Sequence, residues 1–133
     1  AQRYRQPDRP FALVVSMNPP HTPYSHHPDE YLEPYAKLSD EELCRRPNIP
    51  PAGTRWGDYY RSQIRHYYAM ITGVDQQFGR IIEALDGAGL AEDTILVFTS
   101  DHGNCLGIHG HQTKNVPEEE SMRIPLGATP AAR

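Results

Sequence analysis

Apolar residues along this chain gather in three places, separated by polar, proline-rich connections. The first is "FALVVSM" at 11–17, a continuous and partly β-branched run bounded by Pro10 and by Asn18-Pro19-Pro20. Such a run predicts a strand covered on both faces, the pattern of a buried parallel sheet. The second begins at Asp58. Tyr60, Ile64, Tyr67, Ile71, Val74, Phe78, Ile81 and Leu85 recur at alternating steps of four and three, one stripe of an amphipathic helix over 58–89, closed by Gly87 and Gly89. Gly73 and Gly79 inside it admit a bend. The third, "TILVFTS" at 94–100, is another buried-strand run behind the turn-like "AED". Strand, long connection with helix, strand is a βαβ unit. It predicts an α/β fold, part of a mostly parallel sheet with a right-handed βαβ crossover.

Between the first run and the helix lie residues rich in Pro, His, Asp and Glu with little periodicity. From 25 to 57 they predict a long irregular surface excursion. One short helical segment is expected at "SDEELCRR", where Ser39 can cap with Glu42 three residues on. Connections of this length inside a compact domain are functional or disordered, and this one is the element expected to face a substrate.

The topology bears on function. In open α/β sheets, ligands bind outside the carboxyl ends of the strands. The segment after the first strand, "NPPHTPY", and the segment after the second, "DHGN", are therefore expected at one edge, with His21 near Asp101 and His102.

Composition narrows the picture. Only 38% of the 133 residues are hydrophobic and 13 are proline, so one domain is expected, with its apolar material confined to a few elements. Net charge is −4, so there is no basic field to recruit nucleic acid or an anionic membrane. "FALVV" is far too short to span a bilayer, and no signal-type segment is present in the chain. Cys44 and Cys105 are too far apart in sequence to suggest a metal-type pair or a disulfide framework.

The chemistry is concentrated in "TSDHGNCLGIHGHQTKNVPEEESMRIPL", residues 99–126. Asp101 and His102 at consecutive positions can face one cation if the chain leaves the strand there, which Gly103 permits. The structural alternative is a strand-end Asp accepting backbone N–H groups beside a surface histidine. Lys114 can pin an anion as a compact point charge or be solvated. His109 and His111 read as ligands, acids or supporting groups, or as hydrogen-bonded structural histidines. His21 sits in a stiff proline-flanked segment suited to orienting a side chain. His26, His27, His66 and Asp75 are assigned to structure or solvent. "EEES" at 118–121 reads as a solvated acidic run or a helix start.

Taken in order, "PFALVVSMNPPHTPY", "YYAMITGVDQQFGRIIEALDGAGLAEDTILVFTSDHG", "LGIHG", Lys114 and "PEEESMRIPL" resemble the sulfatase family, within the alkaline-phosphatase superfamily of metal-dependent hydrolases. The resemblance implies an incomplete sulfatase-like domain over 1–133, with a strand and His loop at 11–22, the excursion, the helix, and a strand with the metal and sulfate loop at 94–126. It implies Asp101 and His102 as ligands of a divalent metal, calcium first, with magnesium, manganese or zinc as alternatives. It implies Lys114 and His21 as catalytic groups on the sulfate and leaving group, and His109 as a supporting substrate-site residue. The substrate implied is a small-molecule or glycan sulfate ester, and a periplasmic or secreted setting is typical of the family.

One part of the family pattern is absent. The nucleophile, a cysteine or serine matured to formylglycine in a Cys/Ser-x-Pro-x-Arg motif, and an acidic pair before it are not in this chain. "CRRP" at Cys44 has its proline one place too late and follows the His loop. The expectation is a piece of a larger sulfatase, inactive alone, that needs the remainder of the same domain. Two alternatives remain: a phosphodiesterase or phosphonate monoester hydrolase of the same superfamily, and a non-catalytic module.

Overall fold

The computed structural model describes residues 9–129. In chain order the elements are helices α1 (Asp29–Ala36), α2 (Asp40–Leu43) and α3 (Arg55–Gly87), strand β1 (Val97–Thr99), helix α4 (Glu119–Met122) and strand β2 (Leu126–Ala128). Short 3-10 turns lie at Ala91–Asp93 and Ile108–Gly110.

The long helix dominates. Its 33 residues span roughly 50 Å at the α-helical rise. Thr54 caps it, the hydroxyl accepting the Gly57 N–H at 3.2 Å, and the Asp58 carboxylate accepts the Gly53 N–H at 2.8 Å. At the other end Gly89 turns left-handed, with φ +63°, and the Leu90 N–H reaches back to the Leu85 carbonyl at 3.0 Å. The helix starts three residues before the periodicity predicts and runs unbroken through Gly73 and Gly79.

The core is not where a βαβ reading puts it. Tyr60, Ile64 and Met70, on the first half of α3, are buried against Tyr24, Leu43, Leu106 and Ile108. These partners come from the His21 loop, the excursion and the loop after β1, not from a sheet. The excursion is therefore more ordered than its composition suggests. Its own helices dock along α3: Arg65 donates to the carbonyls of Tyr35 (3.0 Å) and Leu38 (2.7 Å), tying the end of α1 and the turn after it to the long helix. Tyr35 and Thr72 share a hydroxyl hydrogen bond of 2.7 Å, and the His27 and His66 rings stack 5.2 Å apart. Gly73 permits the closest approach, because a Cβ there would lie 2.8 Å from the Tyr31 ring. The Ser39–Glu42 capping box forms as the sequence predicts.

The strands depart from expectation. Residues 11–17 join no ladder, and Leu13, Val14 and Val15 are exposed, Val14 to 90%. Strand β1 covers only three residues and pairs antiparallel with β2, Val97 opposite Ala128 and Thr99 opposite Leu126. Among the described residues no parallel pair forms. The physical reason is that parallel strands need neighbours on each edge and cover on both faces, and this chain supplies neither. The β1–β2 pair instead closes the base of the loop 100–125, helped by a 3.1 Å hydrogen bond from the Thr99 hydroxyl to the Pro125 carbonyl.

Candidate functional site

At the end of β1 the backbone turns out of the strand at Ser100, and three side chains converge. Lys114 Nζ lies 2.7 Å from His102 Nε2, and Asp101 Oδ2 lies 3.4 Å from the same nitrogen. The histidine's other nitrogen, Nδ1, donates to the Gly103 carbonyl at 2.8 Å. A carbonyl only accepts, so this bond places the proton of a neutral ring on Nδ1 and leaves the Nε2 lone pair toward Lys114 and Asp101. That is the tautomer a metal or ammonium partner requires.

Asp101 is open to solvent, its side chain 84% exposed. Desolvation opposes its ionisation, but the neighbouring His102, the backbone N–H groups of Asp101 and His102 and the Ser100 hydroxyl outweigh it. The carboxyl is held below its usual range. A carboxylate and an imidazole lone pair within 3.4 Å of one another are chemically suited to one divalent cation. They make only part of a coordination sphere, and among the described residues no group of three or more His, Cys, Asp or Glu side chains is placed to hold a metal. The residues present fit half of such a site. Beside His102 a cleft of about 330 Å³ is lined by Asn115, Val116, Pro117, Ser121 and Met122.

The Asp-His turn is braced from behind. The Gly103 N–H donates to the Ser121 carbonyl at 2.8 Å, and a Cβ at Gly103 would lie 2.1 Å from the Glu120 carbonyl oxygen. Glycine is needed here for close approach rather than for a left-handed backbone.

The remaining predicted residues are placed nearby or apart. His21 is exposed and hydrogen-bonds within its own turn, Nδ1 donating to the Thr22 carbonyl at 2.9 Å. Its loop is nevertheless tied to the strand-end loop: Asn104 Nδ2 donates to the Tyr24 hydroxyl at 2.8 Å. Tyr24 is buried, and burial pushes its phenol up to about 12. The two loops after the apolar runs thus meet, through a Tyr–Asn pair rather than through His21 itself. His109 turns away from the cluster to Glu120, Nε2 to Oε2 at 3.0 Å, and His111 faces Glu118 at 3.5 Å.

The acidic run follows the helix-start alternative rather than the solvated one. Glu119 and Met122 bound a helical turn, and Glu120 is buried rather than solvated. The polar signal that marks it, two histidines spaced by two and two glutamates spaced by two, is visible only once the loop folds back. Cys105 is fully buried, and burial together with the Glu120 and Glu118 charges keeps its thiol protonated; burial also raises Cys44. Neither thiol is set up as a nucleophile.

Comparison with known proteins agrees with this architecture. The sulfatase family profile matches residues 1–126, and the chain belongs to the sulfatase family. It is similar to the endo-4-O-sulfatase of Bacteroides thetaiotaomicron, 37% identical over 92% of this chain and 24% of that protein. It is also similar to iduronate 2-sulfatase of Mus musculus, 37% identical over 88% of this chain and 21% of the relative. The crystallised yidJ protein of Bacteroides fragilis superposes with a TM-score of 0.88 at 58% identity, over 92% of this chain and 26% of that one. The chain therefore spans about a quarter of the length of the relatives it matches.

Proposed function

We propose that the protein of which this chain forms a part hydrolyses sulfuric esters, and that this segment carries the Asp101–His102–Lys114 corner of the site. The observation that supports this reading best is the convergence of Lys114 Nζ and Asp101 Oδ2 on His102 Nε2 at the end of a strand. Asp101 and His102 would hold the divalent metal, calcium in the first instance for an oxygen-rich sphere, with magnesium, manganese or zinc as the other candidates. When bound, the metal supplies Lewis-acid polarisation and holds the nucleophile. Lys114 offsets negative charge on the sulfuryl group as it transfers. His21, in the loop fastened by Tyr24, turns Nε2 outward because its Nδ1 proton is committed to Thr22, and as the imidazolium it donates Nε2–H to the sulfate or leaving-group oxygen. His109 supports the substrate side through Glu120.

The nucleophile, read from the family as formylglycine, and further metal ligands come from the remainder of the domain. That remainder also supplies the parallel neighbours of 11–17 and 95–98, whose apolar side chains are exposed here. The substrate is a small-molecule or glycan sulfate ester. The test uses the full-length protein carrying this segment, assayed on matched sulfate and phosphate esters. Preference for the sulfate ester, with Lys114→Ala reducing kcat/KM by roughly a hundredfold or more, is expected for a charge acting on the transition state. A preference for phosphate esters, or an unaffected Lys114→Ala variant, refutes the assignment.

A further inference from the structure

Glu120 lies at the junction of three segments that are remote in sequence. Its side chain is only 6% exposed. One carboxylate oxygen, Oε1, accepts Asn48 Nδ2 at 2.6 Å and Arg46 Nη1 at 3.5 Å, both from the excursion. The other, Oε2, accepts His109 Nε2 at 3.0 Å. Its main chain serves a third segment, since the Glu120 carbonyl packs on Gly103 and the next carbonyl accepts the Gly103 N–H. One residue thus touches the excursion, the His109 turn and the Asp-His turn.

The histidine end of this junction is set in an uncommon backbone. His109 adopts φ +58°, a left-handed conformation that side-chain-bearing residues seldom take and that persists only where surroundings impose it. Its side chain is 42% exposed. With Nε2–H committed to the carboxylate, a neutral ring carries its lone pair on Nδ1, the nitrogen turned from Glu120. The Asn48 amide first, then Glu120's own backbone N–H and His109, hold the Glu120 carboxyl below its usual range against the cost of burial. A burial cost of this size needs such partners.

We infer that Glu120 is a positioning residue of the site: it sets the tautomer and direction of His109 and locks the 25–57 excursion to the loop that carries Asp101, His102 and Lys114. The inference rests on the sulfatase reading for its kinetic consequence but not for its structural one. Glu120→Gln retains an oxygen for Asn48 and places an amide NH2 toward His109, which must then accept rather than donate at Nε2. Asn48→Ala removes the excursion's share and leaves the His109 bond in place.

The experiment uses the full-length protein with 15N-labelled histidine, His109 being assigned by His109→Gln. In the wild type the His109 ring is expected as the Nε2–H tautomer, moving to Nδ1–H in Glu120→Gln and staying put in Asn48→Ala. With 4-nitrophenyl sulfate as probe, Glu120→Gln is expected to lower kcat/KM by ~10–100-fold with little change in melting temperature, the range seen when an orienting carboxylate is lost. Adding His109→Gln to it should lower kcat/KM little further. An unchanged His109 tautomer in Glu120→Gln overturns the assignment, as does activity that falls only with the folded fraction. A wild type inert toward sulfate esters sinks the sulfatase reading alone, because the tautomer still decides the role of Glu120.

Discussion

Three histidines in this chain, His21, His27 and His102, donate Nδ1–H to the carbonyl of the residue that follows them. The consequence is the same each time: in the neutral ring Nε2 is left as the outward lone pair. At His102 it meets Lys114, and at His27 it accepts from His66 Nδ1 at 2.9 Å. The His27–His66 pair makes stability depend on pH. Burial, then the proximity of His27 and Arg65, lowers the His66 value below 6.5. The fold disfavours its charged form, so that contribution is complete above pH 6.5 and is lost as pH falls through the lower folded value. Amide protection factors across 26–31, corrected for the intrinsic pH dependence of exchange, are expected to fall between pH 7.5 and 5, and a His66→Gln variant should flatten that dependence. Of the residues gathered at the candidate site, Asp101, His102 and Lys114 carry charge in an order that the sequence makes recognisable, and the structure brings them together. Tyr24, Asn48 and Asn104 were not legible. An amide or phenol gives no pattern until burial shows that it must have a partner.

Among the elements, α3 was the most legible, because a stripe that repeats over seven intervals leaves little room for another structure. The helices of the excursion were less so. α1 carries Pro34 and has no buried residue, so its order comes from Arg65, Tyr35 and the Gly73 contact rather than from its own pattern. The apolar runs misled in the opposite sense: 11–17 is a strand in composition and lacks only the neighbours that would make it one. Two substitutions test the elements that hold the site. Ser39→Ala removes the α2 cap and is expected to cost about 1 kcal/mol, read as a lowered urea midpoint of the full-length protein. Gly103→Ala must push a methyl against the Glu120 carbonyl, where backbone has little room to yield. A loss of ~1–3 kcal/mol or more is expected, with metal affinity and activity falling together. Normal activity in Gly103→Ala would remove the bracing role given to α4.

At the scale of the molecule, the surface is divided. The face built from the excursion and the first half of α3 is finished, while Leu13, Val14, Ile95, Val97 and Leu126 stand in water, Leu126 at 77% exposure. Apolar strands of this kind mark a surface meant for cover. The isolated chain is expected to bind a hydrophobic dye and to self-associate in light scattering, and the full-length protein to do neither. A monomeric, dye-silent isolated chain would refute the claim that the remainder of the domain packs there. The β1–β2 pair has a different consequence. Because Thr99 faces Leu126, the chain leaves the sheet and returns to it at the same point. Everything between is a cassette whose ends are already joined. Its ends are fixed by the strands, and Leu106, Ile108 and Glu120 fix its middle to α3 and the excursion, so only the stretches between those anchors can change without disturbing the core. Grafting residues 100–125 between relatives should therefore preserve the fold only where the excursion partners of Glu120, Arg46 and Asn48, travel with them.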